Sequence, residues 1–187
     1  MKRFFACLTL VVLLLATAGC SEPPPSPMTS TATTAPQAPK PTAPVVTGKP
    51  LPEDLDFTVT DTTGKEVKLS DFEGTPVVVN FWATWCNPCT TELPDFDLAA
   101  QNNPNIQFMM INATDNREET PEIVSQFIAE NGYTFDVFYD FELKTINSLG
   151  IQGFPTTFFI DAQGNVVDAY IGMIDTEILE EGLTLIR

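Results

Sequence analysis

An almost unbroken run of apolar residues leads directly into a pair of closely spaced cysteines. Residues 76–83, PVVVNFWA, have the pattern of a central strand that is buried on both faces of a sheet. Cys86 and Cys89 follow, and Pro88 between them suits the first turn of a helix, where its missing N–H costs little. The sequence therefore predicts a buried strand, a tight turn and a helix that begins at Cys86.

The first cysteine stands at the predicted start of the helix, where unpaired backbone N–H groups and the positive end of the helix dipole favour an anion. The pKa of the Cys86 thiol should therefore fall below its free value of about 8.5. Cys89 lies one turn further on and is close enough to bond to it. This arrangement predicts a redox pair in which Cys86 attacks a partner and Cys89 resolves the mixed disulfide.

Residues 1–19 have the pattern of an export signal. A short basic start precedes an apolar run, 4–18, which is shorter than the roughly 20 residues that a bilayer span needs. The run leads into TAGC, which resembles the lipobox of bacterial lipoproteins, although Thr17 stands where that motif usually has leucine. The resemblance implies that Cys20 is acylated and becomes the new N-terminus. The alternative is an ordinary signal peptide that is cut nearby and releases a soluble protein.

The chain after the predicted signal divides into a tether and a domain. Residues 20–50 are rich in proline, serine and threonine and contain no aromatic residue. Such a segment cannot bury enough surface to offset its ordering entropy, so we expect a disordered tether. Residues 51–187 are rich in β-branched and aromatic residues and suit one domain. Strands there alternate with helices, between a hairpin (57–70) and a closing helix (175–186), which indicates an α/β fold.

Three alternatives to a redox pair have weaker support. A structural disulfide that closes so short a loop removes little entropy from the unfolded chain. A closed zinc site needs four ligands, yet the chain has no histidine and no second pair of this spacing. The absence of histidine also counts against copper delivery. Inert buried cysteines do not suit an exported protein with both thiols at a strand-to-helix junction. We therefore predict no metal site.

Net charge and composition limit the possible partners. The formal charge of −16 argues against binding nucleic acid and against docking on anionic lipid by charge. The complete lack of histidine removes the side chain best suited to proton transfer near neutral pH. Any acid–base chemistry must therefore fall to carboxylates, thiols or water.

Two segments resemble a known family. Residues 77–96, VVVNFWATWCNPCTTELPDF, and 150–167, GIQGFPTTFFIDAQGNVV, resemble the thioredoxin fold, and more closely the extracytoplasmic, membrane-tethered thioredoxin-like proteins of the TlpA/ResA kind. The resemblance implies a three-layer α/β/α domain with a central mixed sheet, an N-terminal β-hairpin and a helix and strand inserted within 112–140. It also implies that Pro155 is in cis and faces the cysteines.

The same resemblance bears on function. It implies a thiol–disulfide oxidoreductase that reduces specific exported partners, such as apocytochrome c before haem attachment, and draws electrons from a membrane or extracytoplasmic donor. No cofactor is implied beyond the Cys86–Cys89 disulfide. One alternative is a thiol peroxidase, which usually needs an arginine beside the cysteine, whereas Arg117 lies far along the sequence. The other is a non-catalytic, tethered binding module.

The residues around the pair suggest where protons go. Asn80 stands where ordinary cytoplasmic thioredoxins have a buried acid, and Glu92 lies three residues after Cys89. Residues at that spacing share one face of a helix, so burial near the thiol would raise the pKa of Glu92. The carboxyl could then exchange a proton with the thiols. The alternative is that Glu92 is an ordinary solvated residue.

The aromatic residues near the pair divide into two roles. Trp85 is expected to shield the disulfide and touch partners, whereas Trp82 is expected in the core. Phe154, beside Pro155, is expected to line a shallow apolar groove or to pack in the core. The polar segment DNREE, 115–119, is expected to be solvated and to carry no chemistry.

Overall fold

The computed structural model describes residues 55–187, which span nearly all of the predicted domain. The predicted export signal, the acylation site at Cys20 and the predicted tether lie outside the described residues, and they stay predictions. No helix within residues 55–187 is both long enough and apolar enough to cross a lipid bilayer.

Strands and helices alternate along the described residues. The strands are β1 (Thr58–Asp61), β2 (Glu66–Lys68), β3 (Val77–Trp82), β4 (Gln107–Asn112), β5 (Val137–Tyr139), β6 (Thr156–Ile160) and β7 (Val166–Ile171). The helices are α1 (Asn87–Asn102), α2 (Pro121–Asn131), α3 (Lys144–Leu149) and α4 (Thr176–Ile186), with short 3₁₀ turns at Leu69–Phe72 and Phe141–Leu143. The predicted N-terminal hairpin and closing helix are both present.

The described strands form a single mixed sheet. Its order is β2-β1-β5-β4-β3-β6-β7, with β3, β4 and β5 parallel and the remaining pairs antiparallel. The hairpin of β1 and β2 extends the sheet beyond β5. The α2–β5 unit supplies the predicted inserted helix and strand. The mixed sheet and flanking helices predicted from the sequence are confirmed.

Strand β3 lies in the interior of the sheet, and all six of its residues are buried. This explains its nearly continuous apolar sequence, because both faces pack against other layers. The carboxyl ends of the parallel strands β3, β4 and β5 lie at one edge of the sheet, and so does the start of the antiparallel strand β6. The loops that carry Cys86 and Phe154 therefore meet at this edge, where open α/β sheets commonly hold their sites.

Helix α4 packs against the sheet through a glycine. Asp175 caps the helix by accepting a hydrogen bond from the Ile178 N–H at 3.0 Å. One side of the helix is buried, and a Cβ at Gly182 would overlap the ring of Phe159, which is fully buried on β6. The absence of a side chain at this position therefore sets how closely α4 approaches the sheet.

Candidate active site

The two cysteines form a disulfide at the start of α1. The Sγ atoms are 2.03 Å apart. Cys86 is the N-cap residue of the helix, and its Sγ accepts a hydrogen bond from the Cys89 N–H at 3.3 Å. Cys86 retains 6% of its surface, whereas Cys89 is completely buried. Of the two cysteines, only Cys86 is therefore open to a partner.

The chain turns sharply between β3 and α1, and this turn presents the sulfur atoms. The Cys86 N–H donates to the Ala83 carbonyl at 3.2 Å, which closes the turn. Pro88 occupies the first turn of α1, where it displaces no intrahelical hydrogen bond. A thiolate released at Cys86 would face the free N–H groups of the helix end, which favour its charge.

Glu92 is buried on the same helix, one turn after Cys89, with 2% of its surface exposed. Its Oε1 accepts from the Asn80 Nδ2 at 2.8 Å, and its Oε2 accepts from the Ile174 N–H at 2.9 Å. Burial raises the pKa of Glu92 to about 7 despite these two hydrogen bonds. The alternative of a solvated residue is therefore wrong, while the proton-transfer role stays a prediction.

Asn80, on β3, connects Glu92 to the neighbouring strand β6. Its Nδ2 also contacts the Oγ1 of Thr157 on β6 at 3.0 Å, and both residues are fully buried. The Asn80 Oδ1 has no hydrogen-bond partner among the described residues. The amide thus donates to two buried acceptors, one of them the carboxyl of Glu92.

An apolar groove of about 590 Å³ opens beside the disulfide. We call it the redox groove; its lining residues are Trp85, Cys86, Asn87, Pro88, Leu143, Ile146, Ile151, Gln152, Gly153 and Phe154. None of them is charged. The rings of Trp85 and Phe154 meet edge to face with centroids 5.9 Å apart, and 59% of Trp85 is exposed. The expected groove is present at Phe154, and Trp82 is in the core as expected.

Pro155 follows the groove-lining Phe154 through a cis peptide bond, as the resemblance implied. Pro155 itself is buried, and its carbonyl accepts from the Gly172 N–H at 2.8 Å. It is not among the residues that line the redox groove. Its assignment as a partner-binding residue stays a prediction.

The segment 115–119 corrects an expectation, because one of its acids is not solvated. Glu119 is 1% exposed. Its carboxylate accepts from both the N–H and the Oγ1 of Thr84, at 2.7 and 2.6 Å, and from the Asn112 Nδ2 at 2.6 Å. Thr84 lies two residues before Cys86. No local sequence pattern marks this acid as buried, because its donors belong to Thr84, 35 residues earlier, and to Asn112 on β4.

Comparison with known proteins identifies the family. Residues 47–169 match the sequence model of the AhpC/TSA family. This chain belongs to that family of thioredoxin-like proteins. The thiol-disulfide oxidoreductase ResA of Bacillus thuringiensis (strain Al Hakam) is 36% identical over 135 residues, which cover 71% of this chain and 74% of that protein.

Solved structures agree with this assignment. StoA from Bacillus subtilis superposes with a TM-score of 0.59 at 26% identity, over 68% of this chain and 96% of that one. The pneumococcal exposed lipoprotein thioredoxin Etrx1 from Streptococcus pneumoniae (strain TIGR4) gives a TM-score of 0.58 at 27% identity, over 69% and 98%. The thioredoxin-like fold is confirmed, and the chain is a thiol–disulfide oxidoreductase of the extracytoplasmic type.

Both cysteine sulfurs of the described domain are committed to the disulfide. Within residues 55–187, no three side chains of cysteine, aspartate or glutamate come together in a way that could hold a metal ion.

Proposed function

We propose that this oxidoreductase is a lipid-anchored reductant of disulfides in exported proteins, with apocytochrome c before haem attachment as the partner class. The observation that carries the proposal is the buried carboxyl of Glu92 on the same helix as the Cys86–Cys89 pair. The likeness to an exposed lipoprotein thioredoxin supports the anchored location. The lipobox-like segment that ends at Cys20 supports it independently.

The reaction is two successive thiol–disulfide exchanges. The Cys86 thiolate attacks one sulfur of the partner disulfide, which forms a mixed disulfide and releases one partner thiolate. Cys89 then loses its proton and attacks the Cys86 sulfur, which releases the second partner thiolate. The partner gains two electrons, and the Cys86–Cys89 disulfide forms. A dithiol donor must then return two electrons to this disulfide.

Glu92 serves the second exchange as the proton acceptor for Cys89. A carboxyl with a pKa of about 7 is partly ionised at neutral pH, so it can take the thiol proton and release it afterwards. The same negative charge disfavours a thiolate at Cys89 in the reduced protein. A dithiol whose thiolate form is disfavoured gives up its electrons more readily, which supports the direction of electron flow in this proposal.

The redox groove supplies the contact with the partner. Its lining has no charged side chain, and Trp85, Phe154 and Leu143 offer apolar surface beside the reactive sulfur. An apolar side chain next to the partner's cysteine can be buried in this groove while the sulfur of that cysteine reaches Cys86. The strongly acidic chain would in addition attract a basic partner.

A trapping experiment tests the reaction. In the Cys89→Ser variant the first exchange proceeds and the second cannot. A peptide with a Cys-x-x-Cys-His sequence closed by its own disulfide, the haem-attachment pattern, should accumulate as an adduct at Cys86. The Cys86→Ser and Cys89→Ser double variant is the control. The proposal fails if the adduct is no more abundant than in this control, or if the reduced protein leaves the peptide disulfide intact.

A separate experiment tests the anchor. Cys20→Ser should abolish lipid labelling and release the chain from the membrane fraction. Cys7→Ser is the matched control, because that cysteine lies in the segment that would be removed. Unchanged labelling in the Cys20→Ser variant would overturn the lipoprotein assignment and leave the redox proposal standing.

A thiol peroxidase is the second candidate, since the family model is named for AhpC and TSA. Two observations count against it: Arg117 is exposed in the 115–119 segment, and the sulfur of Cys86 is bonded to Cys89. The peroxidase would be favoured if the reduced protein consumes peroxide as fast as it reduces the peptide disulfide. A non-catalytic binding module would keep its cellular function when both cysteines are replaced.

A further inference from the structure

A buried series of hydrogen bonds begins at the turn between β3 and α1, residues 83–86, which we call the redox turn. The Glu119 Oε1 accepts from the Thr84 N–H and from the Asn112 Nδ2, and its Oε2 accepts from the Thr84 Oγ1. Glu119 and Asn112 have 1% and 0% of their surface exposed. Both oxygens of the carboxylate therefore meet donors of neighbouring loops and strands rather than solvent or a cation.

The series continues away from the disulfide through β4. The Asn112 Oδ1 accepts from the Thr114 Oγ1 at 2.8 Å, and the Thr114 carbonyl accepts from the Glu142 N–H at 3.1 Å. Glu142 and Leu143 adopt φ angles of 59° and 56°, which residues other than glycine rarely adopt. Such a conformation persists only where its surroundings fix it, and the Thr114 carbonyl is one of the contacts that do so.

The two ends of this series flank the redox groove. At one end, Thr84 precedes Trp85 and Cys86, which line the groove; at the other end, Leu143 lines it too. Glu119 itself does not line the groove. Its hydrogen bonds go to Thr84 and Asn112 and not to the sulfur atoms, so we expect any effect of Glu119 on exchange to pass through the residues that it holds.

We propose that Glu119 is a positioning residue that holds the Trp85–Cys86 side and the Leu143 side of the redox groove at the separation that a partner's apolar side chain needs. This inference rests on the proposed use of the groove by partner proteins. On this inference Glu119, which lies between β4 and α2, controls how the site recognises partners. It does not take part in the sulfur chemistry.

Three substitutions separate the hydrogen bonds of Glu119 from its charge. Glu119→Ala removes all three contacts. Glu119→Gln keeps the Oε1 that accepts two of them, and its new amide can donate to the Thr84 Oγ1, whose hydroxyl is able to accept. Thr84→Val keeps the shape of the side chain and removes one contact. Glu118→Ala, which removes an exposed neighbouring acid, is the matched control.

The experiment measures how fast the reduced protein reduces each of three disulfide substrates. One is the Cys-x-x-Cys-His peptide with a flanking leucine, the second has serine in place of that leucine, and the third is hydroxyethyl disulfide, which is too small to span the groove. The wild type should prefer the leucine peptide by about tenfold or more, the range that an apolar pocket provides. Glu119→Ala should lose this preference, Thr84→Val should lose part of it, and Glu119→Gln and Glu118→Ala should keep it.

The rate with hydroxyethyl disulfide should stay the same in every variant that folds, as judged by its circular dichroism. The inference is overturned if Glu119→Ala keeps the leucine preference, or if Glu119→Gln loses the rate with all three substrates, since the latter would make the acid a proton carrier. If Glu119→Ala does not fold, an unchanged preference in Thr84→Val overturns the inference instead. A wild type that reduces both peptides equally would contradict the proposed use of the groove, whatever the variants do.

Discussion

Asn80 donates its side-chain amide to the carboxylate of Glu92 across 2.8 Å, and neither residue exposes more than 2% of its surface. The amide belongs to β3 and the acid to α1, the two elements that the redox turn joins. An uncharged partner stabilises the carboxylate less than a cation would, so desolvation dominates and the pKa of Glu92 rises to about 7. The site thereby has a group that titrates near neutral pH in a chain without histidine.

The first prediction concerns the thiols of the reduced protein. In Glu92→Gln the shape of the side chain is kept and its charge is removed, so a thiolate nearby is no longer opposed. We expect the apparent thiol pKa values to fall. The pH dependence of exchange should change with them, since Glu92 and the thiols of Cys86 and Cys89 titrate as a coupled set. Thiolate absorbance followed over a pH titration measures this. Superimposable curves for wild type and variant would remove Glu92 from the chemistry.

The second prediction concerns stability. The folded state raises the pKa of Glu92 from 4.5 to about 7, so it binds this proton more tightly than the unfolded chain does. The stabilising contribution is complete below pH 4.5 and is lost as the pH rises to about 7. Because this contribution follows from the difference between the folded and unfolded pKa values of Glu92, it is on the order of 3 kcal/mol.

Urea unfolding of the oxidised protein at a series of pH values checks this. The free energy of unfolding of the wild type should fall between pH 4.5 and 7 relative to that of Glu92→Gln. Glu118→Gln, at an exposed acid, should follow the wild type. Parallel curves for wild type and Glu92→Gln would contradict the raised pKa.

The third prediction separates the two cysteines. Cys86 keeps 6% of its surface, caps the helix and faces the positive end of its dipole, whereas Cys89 is completely buried. In the reduced protein, iodoacetamide should therefore alkylate Cys86 faster by about tenfold or more. Peptide mapping after short exposure measures the ratio, with the two single serine variants as references. Faster labelling of Cys89 would reverse the roles of attacking and resolving thiol.

The fourth prediction concerns the packing of α4. Gly182→Ala introduces a Cβ that overlaps the Phe159 ring. Although alanine favours a helix by about 1 kcal/mol over glycine, overpacking a fully buried ring should cost about 1–3 kcal/mol. Thermal or urea unfolding would show the net loss. Thr184→Ala, on the exposed side of the same helix, should change stability little, and a stabilised Gly182→Ala would show that the helix shifts freely.

The parts that the sequence predicted well depend on local patterns. The apolar run of β3, the proline within the first turn of α1 and the spacing from Cys89 to Glu92 each carry their meaning within a few residues. The strands, the hairpin and the turn between β3 and α1 were accordingly foreseen. The spacing placed Glu92 on the same helix face as Cys89, but it left both a buried and a solvated carboxyl open.

The parts that the sequence did not predict depend on tertiary proximity. Glu119 stands in a polar run, and its donors come from Thr84, 35 residues earlier, and from Asn112 on β4. Leu143 and Ile146 line the redox groove from a part of the chain far from the cysteines, and Leu143 stands in a turn after β5 with an uncommon backbone conformation. No hydrophobic period or motif signals either relationship, which is why segment 115–119 was wrongly expected to be solvated throughout.

The capping contact at the start of α1 determines which inactive variants are suitable references. Because the Cys86 Sγ accepts the Cys89 N–H, the atom that carries out exchange also terminates the backbone hydrogen-bond pattern of the helix. Serine at this position retains an acceptor, whereas alanine leaves that N–H without one and loosens the first turn. A loss of activity in Cys86→Ala therefore mixes chemistry with local fraying, and Cys86→Ser reports on the chemistry alone.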